Sequence, residues 1–136
     1  MTSSRLKLIG GLLLGLAIIV SGISCGSLGD SLYVGAVQNQ TSTGITASYQ
    51  FFNGTETKNI AVTAGDVIDF SYKSTVAEGS LALKLNDADK NTVIEFPADT
   101  SGVASITAQK AGNFTLVIHG EDTKGSYDIS WEINKK

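Results

Sequence analysis

Alternation of apolar and polar residues with a period of two constrains this chain's fold more than any other feature. In residues 66–73, Ile68, Phe70 and Tyr72 fall on one face and Val67, Asp69, Ser71 and Lys73 on the other. Leu81, Leu83 and Leu85 oppose Ala82 and Lys84 in the same way. Phe114, Leu116 and Ile118 oppose Thr115, Val117 and His119, and Tyr127, Ile129, Trp131 and Ile133 oppose Asp128, Ser130 and Glu132. Successive side chains of a strand point to opposite faces, so this pattern predicts half-buried strands with one face on a core. No window after Cys25 carries a helical stripe.

The breaks between these runs carry turn chemistry. Asn53-Gly54, Ala64-Gly65-Asp66, Glu78-Gly79, residues 86–91, Thr100-Ser101-Gly102, Ala111-Gly112-Asn113 and Lys124-Gly125 recur roughly every ten residues, and Gly, Asn and Asp meet the backbone demands of tight turns at low cost. The spacing predicts about eight or nine strands, near 32–38, 46–52, 57–63, 66–76, 79–86, 92–97, 103–109, 113–119 and 126–133. Short strands at such regular intervals indicate an all-β, antiparallel β-sandwich, jelly-roll-like in arrangement, with a closed barrel as the alternative.

The N-terminus is of another kind. Arg5 and Lys7 precede an apolar run of 13 residues, Leu8 to Val20, followed by the small residues around Cys25. As a helix the run would be roughly 20 Å long, against a bilayer core of about 30 Å. That is short for a permanent span and suits the apolar region of a signal peptide, the alternative being an uncleaved anchor extended through Ile23. The sequence therefore divides into a signal peptide (1–24), a tether (25–31) rich in Gly and Ser, and a β-sandwich domain (32–136).

Beyond the leader the chain has eight Lys, no Arg and thirteen Asp plus Glu, a net charge of −5. Nucleic-acid binding needs basic surface and commonly Arg, so nucleic acid is excluded as a partner. An acidic surface also gains nothing on anionic lipid, so membrane attachment would fall to an anchor. Cys25 is the only cysteine, which rules out an intramolecular disulfide and leaves the core to stabilise the domain.

Gly22-Ile23-Ser24-Cys25 resembles the cleavage site of the bacterial lipoproteins, in which a signal peptide is cut before a cysteine whose thiol carries diacylglycerol. Ser24 matches the small residue of that pattern, while Gly22 stands where the family usually has Leu or another aliphatic. The resemblance implies export and lipid attachment at Cys25 on the outer face of the membrane; two acyl chains hold firmly where one does not. From Val62 to Ile133 the cadence resembles small bacterial β-sandwich domains, the pre-peptidase C-terminal-like accessory domains of secreted peptidases and the ectodomains of small lipoproteins. Ala64-Gly65-Asp66, Gly79-Ser80-Leu81, Ala111-Gly112-Asn113-Phe114 and Gly125-Ser126-Tyr127-Asp128-Ile129 carry it. This resemblance implies an accessory role in binding or surface interaction, although fold alone does not fix function.

Residues with chemical potential are few. His119, the only histidine, falls on a polar face; a triad with Ser130 and Asp128 or Asp69 would need a nucleophile elbow that the sequence lacks. Asp87, Asp89 and Asn91 have the alternate-oxygen spacing that opens calcium loops. Thr92 stands where the sixth position wants Gly, and Ala98 where the twelfth wants Glu, so an ordinary turn is predicted. Asp66 with Asp69, and Glu121 with Asp122, read as solvated loop or strand ends. Most aromatics (Phe70, Tyr72, Phe114, Tyr127 and Trp131) fall on inward faces. Phe51 and Phe52 are adjacent and must point to opposite faces of a strand. One of them, with Tyr33 or Tyr49, is therefore the candidate binding surface.

The expectation is a membrane-anchored, exported, non-catalytic binding or accessory module without a cofactor, taking a glycan or protein ligand outside the cell. The alternatives are a carbohydrate- or cell-wall-binding module and, behind it, a secreted enzyme.

Overall fold

The computed structural model describes residues 31–136. The expected signal peptide, Cys25 and all but the last residue of the tether lie outside the described residues. Seven strands follow one another: β1 (Leu32–Val34), β2 (Val37–Thr41), β3 (Gly44–Val62), β4 (Val67–Asn86), β5 (Thr92–Phe96), β6 (Ser101–Thr107) and β7 (Gly112–Asn134). Every pairing is antiparallel.

The count of seven and the eight or nine segments read from the sequence describe the same molecule. Backbone hydrogen bonding continues through the turn-like residues near 50–54, 77–79 and 120–125, so three pairs of expected strands fuse into β3, β4 and β7. The expected strand at 32–38 is instead divided at Gly35, which has a positive φ of 58°. Each long strand bends at its middle and serves both sheets. One sheet runs β2, β3 (44–49), β7 (125–134), β4 (67–76), β6. The other runs β3 (54–62), β7 (112–120), β4 (80–86), β5. Leaving β1 and β2 aside, these eight segments have the order of a jelly roll, with the C-terminal strand inserted between β3 and β4.

The bends explain how one face stays inward along strands of about twenty residues. Side-chain direction has a period of two, so an irregularity that adds one residue exchanges the faces. In β3 the buried residues are Ile45, Ala47 and Tyr49 before the bend, and Phe52, Ile60 and Val62 after it. β4 changes from Ile68 and Phe70 to Leu81, Leu83 and Leu85; β7 changes from Phe114, Leu116 and Ile118 to Tyr127, Ile129 and Trp131. Two glycines let the bends nest. Gly79 has a positive φ of 71°, and a Cβ there would strike the carbonyl oxygens of Glu121 and Asp122. A Cβ on Gly120 would enter the space of the Phe52 ring.

Aromatic side chains close the space between the sheets. Phe96, paired with Leu83 in one sheet, meets Phe70 and Tyr72 of the other edge-to-face, with centroid separations of 5.3 and 5.2 Å. The loop after β5 is fastened to the bend of β4. Asp99, at a positive φ of 57°, accepts from Val76 N through Oδ1 at 3.0 Å, and its own N donates to Ser74 Oγ at 3.0 Å.

Candidate functional site

The aromatics singled out from the sequence divide between interior and surface. Tyr49 and Phe52 are core residues, at 2% and 0% exposure, and offer no face to a ligand. The expectation of an open aromatic platform is corrected on that point, because the irregularity between Tyr49 and Phe52 turns both inward. Tyr33 lies half-buried over them, stacked on Phe52 at 4.2 Å with planes 2° apart, and edge-on to Tyr49 at 5.8 Å. Phe51 is half-buried on the opposite face, paired with Val34. Beside it Leu32, Val34 and Val37 are exposed, the last at 77%. This apolar corner has a sequence signal that residue-by-residue reading passed over: residues 32–41 contain no charged side chain.

Beneath the corner lies a hydrogen-bonded chain. Tyr127 OH donates to Glu56 Oε2 at 3.0 Å, and Gln38 Nε2 donates to Glu56 Oε1 at 3.1 Å. The Tyr33 and Tyr127 hydroxyls are 3.1 Å apart. Since the single proton of Tyr127 goes to the carboxylate, Tyr33 is the donor of that pair. Burial pushes both phenols above the usual tyrosine range, and the Glu56 carboxylate adds to the effect. Both therefore remain protonated donors.

At the far end of the sandwich the turn after β4 and the loop between β6 and β7 enclose a cleft of about 100 Å³. Val93, Ile106 and the buried ring of Phe114 give it an apolar lining; Asp87, Asp89 and Lys110 give it a polar one. Lys110 Nζ bonds Asp89 Oδ2 at 2.9 Å across this region, which raises the ammonium pKa. Pockets that enclose a small molecule span roughly 300–1,000 Å³. This cleft suits one residue-sized group of a larger ligand.

Asp87 and Asp89 of the calcium-like triplet line that cleft, and the triplet forms an ordinary turn. Asp87 Oδ1 accepts from Asp89 N and Asn91 N, both at 2.9 Å, and Asp89 is committed to Lys110. Among the described residues no group of three or more His, Cys, Asp and Glu comes together to hold a metal ion. His119 is half-exposed on the outer face of β7. Its Nδ1 lies 2.7 Å from Thr55 Oγ1 and its Nε2 lies 3.3 Å from Glu121 Oε1. The register sets His119 opposite Thr55 and Ala82, whereas Asp128 and Ser130 lie beyond the bend, opposite Lys73 and Ser71. No triad is assembled, and His119 takes no part in the cleft.

Neither a protein-family model nor a curated protein matches the sequence. Among solved structures the chain is similar to the pre-peptidase C-terminal domain of a Bacillus anthracis collagenase, with 17% identity, 74% of this chain and 90% of that one covered, and a TM-score of 0.47. It is also similar to PliG of Aeromonas hydrophila, a periplasmic inhibitor of g-type lysozyme, at 10% identity, 75% and 86% coverage and a TM-score of 0.40. A third likeness is to a carbohydrate-binding module of Cellvibrio mixtus lichenase 5A in complex with cellotriose, at 18% identity, 77% and 90% coverage and a TM-score of 0.38. At these identities the likeness is one of fold alone.

Proposed function

We propose that this chain is an exported bacterial lipoprotein, held by a lipid on Cys25, whose jelly roll works as a non-catalytic binding module on the outer face of the membrane. The observation that carries the reading is the polarity of the fold. The described chain begins at the bends, where β1 pairs with residues 51–53, and the cleft lies at the other end, where β4 finishes and β6 and β7 meet. Half of a long strand, about ten residues at about 3.3 Å each, separates the two ends by roughly 30 Å. The six residues of the tether beyond Cys25, 26–31, span at most about 20 Å. A lipid on Cys25 would thus hold the bends near the bilayer and turn the cleft outward.

Inhibition of the lipoprotein signal peptidase with globomycin tests the anchor. The unprocessed chain should accumulate, and Cys25→Ala should move the protein from the membrane to the soluble fraction. Unchanged processing, or a Cys25→Ala chain still firmly membrane-bound, counts against it.

Binding of a carbohydrate or cell-wall glycan is the second reading, favoured by the make-up of the cleft. The exposed Val93 and half-buried Ile106 suit the C–H face of a sugar, and Asp89, Lys110 and Gln109 suit its hydroxyls. A glycan array and a cell-wall pulldown with the domain should find a ligand whose retention falls when Lys110 is replaced by Ala. A clean negative in both removes the glycan reading and leaves a protein ligand.

A further inference from the structure

The two sheets treat their edges differently. The edges of the second sheet are guarded: residues 54–62 of β3 carry Glu56 and Lys58, and β5 carries Glu95 and is followed by Pro97. Charges and proline at an edge discourage pairing with another strand. On the first sheet, residues 32–41, which hold all of β1 and β2, have neither. All five residues of β2 are exposed, including those on its inner face, and only β3 pairs with it among the described residues. Alternate backbone N–H and C=O groups along its outer side are thus open to another strand.

We infer that β2 is the dimerisation edge of this protein and pairs antiparallel with β2 of a second copy about a two-fold axis at Asn39. The side chains of Gln38, Asn39 and Gln40 favour a second copy over a different partner. Each amide is both donor and acceptor, so the strip is complementary to itself and carries no charge that would select another chain. With Asn39 opposite its counterpart, Gln38 faces the partner's Gln40, and Val37 faces the partner's Thr41. Gln38 donates one N–H to Glu56 and keeps its carbonyl oxygen for the facing amide. Pairing joins the two five-stranded sheets into one of ten strands and covers Val37.

The free edge of β6 is also without charge, and its Val103 is 80% exposed. Gly102, Ala104 and Ile106 on its inner face are nevertheless half-covered by the domain itself. Pairing of β2 with a neighbour's β6 would moreover be heterologous, repeating head-to-tail instead of closing at two copies. Lipid is a poor occupant for β2, because a bilayer leaves the open backbone groups of an edge unpaired.

The inference does not rest on a lipid at Cys25 and is tested without one. The buried core lies wholly between Ile45 and Trp131, so a chain starting at Gly26 retains it and contains no cysteine. This chain should sediment in a concentration-dependent monomer–dimer equilibrium. Asn39→Lys, which sets two ammonium groups opposite each other, should raise the dissociation constant by roughly tenfold or more. On mild oxidation Asn39→Cys should form a disulfide-linked dimer, since directly opposed antiparallel positions lie about 4.5–5.5 Å apart between Cα atoms, within disulfide reach. Val103→Cys should not. A monomer at every concentration, a dimer indifferent to Asn39→Lys, crosslinking through Val103 instead, or binding of the edge to phosphatidylcholine vesicles would each overturn the inference.

Discussion

The hydroxyl of Tyr127 donates to Oε2 of Glu56 at 3.0 Å and so joins the two sheets beneath the β1–β2 corner. Tyr127 belongs to the second half of β7, in one sheet, and Glu56 to the second half of β3, in the other. The other oxygen of Glu56 holds Gln38 of β2, and Tyr33 of β1 donates to Tyr127. Two short strands with little burial of their own are thereby fastened to the core through one carboxylate.

Removing the Tyr127 hydroxyl tests that link. A hydrogen bond to a charged group contributes about 1.5–3 kcal/mol, and removal of this half-buried one also takes from Tyr33 the acceptor at 3.1 Å. Tyr127→Phe should lower the stability to urea unfolding by about that much near neutral pH. Native-state hydrogen exchange should quicken across residues 33–41 while residues 114–118 stay protected. A loss below about 0.5 kcal/mol would mean that the pair contributes no more than an exposed contact.

Phe51 and Phe52 make a sharper comparison, being chemically identical neighbours. Phe52 is fully buried and stacked with Tyr33, so Phe52→Ala should cost about 3–5 kcal/mol through the cavity it leaves. Phe51 packs only at the corner, and Phe51→Ala should cost about 1 kcal/mol or less. Denaturant unfolding of the two variants decides the order, and similar midpoints would contradict the assignment of faces.

The same pair marks where sequence reading stops. Alternation gave correct inward faces for Ile68 and Phe70, for Leu81, Leu83 and Leu85, and for the buried residues of β7, because each run lies wholly on one side of a bend. At residues 49–54 a bend falls inside the apolar run, so the rule could say only that Phe51 and Phe52 differ. The bends were visible as Gly, Asn and Asp clusters, but those residues serve equally in a loop that ends a strand and in an irregularity that lets it continue. Nothing in the sequence joins Val93 to Ile106 and Phe114 either. Their meeting at the cleft depends on long-range wrapping of the strands. Glu56 stands among threonines and shows no local sign of Tyr127, its buried partner.

Thr123 predicts a gain rather than a loss. Its side chain is fully buried at the β7 bend, and its Oγ1, like the hydroxyl of Tyr49 toward which it turns, has no partner in hydrogen-bond geometry. A buried hydroxyl that has left water without a replacement bond is a net cost, of about 1–3 kcal/mol. Val has nearly the same shape and no such group. Thr123→Val should therefore raise the urea midpoint or leave it unchanged, while Thr123→Ser, which keeps the hydroxyl and loses a methyl, should lower it. A marked loss in the Val variant would show that the hydroxyl has a partner after all, such as a bound water.

Asp66 gives a prediction for the acid side of the stability curve. It is buried at the turn before β4. Its Oδ2 accepts from Lys135 Nζ at 2.8 Å and from Thr63 N at 2.9 Å. These bonds, that of Lys135 foremost, pull its pKa from 3.8 down to about 2. The folded state therefore binds the proton less readily than the unfolded chain. The resulting stabilisation is complete above the unfolded value of 3.8 and disappears as pH falls from there through about 2. Thermal unfolding followed across this range should show the wild-type midpoint dropping through that window. Asp66→Asn should start lower near neutral pH and descend less steeply there. Lys135→Ala keeps the bond from Thr63 and should move the folded pKa part of the way back toward 3.8, readable by NMR titration of the carboxyl carbon. Parallel descent of wild type and Asp66→Asn through the window would assign the acid limit to other carboxylates.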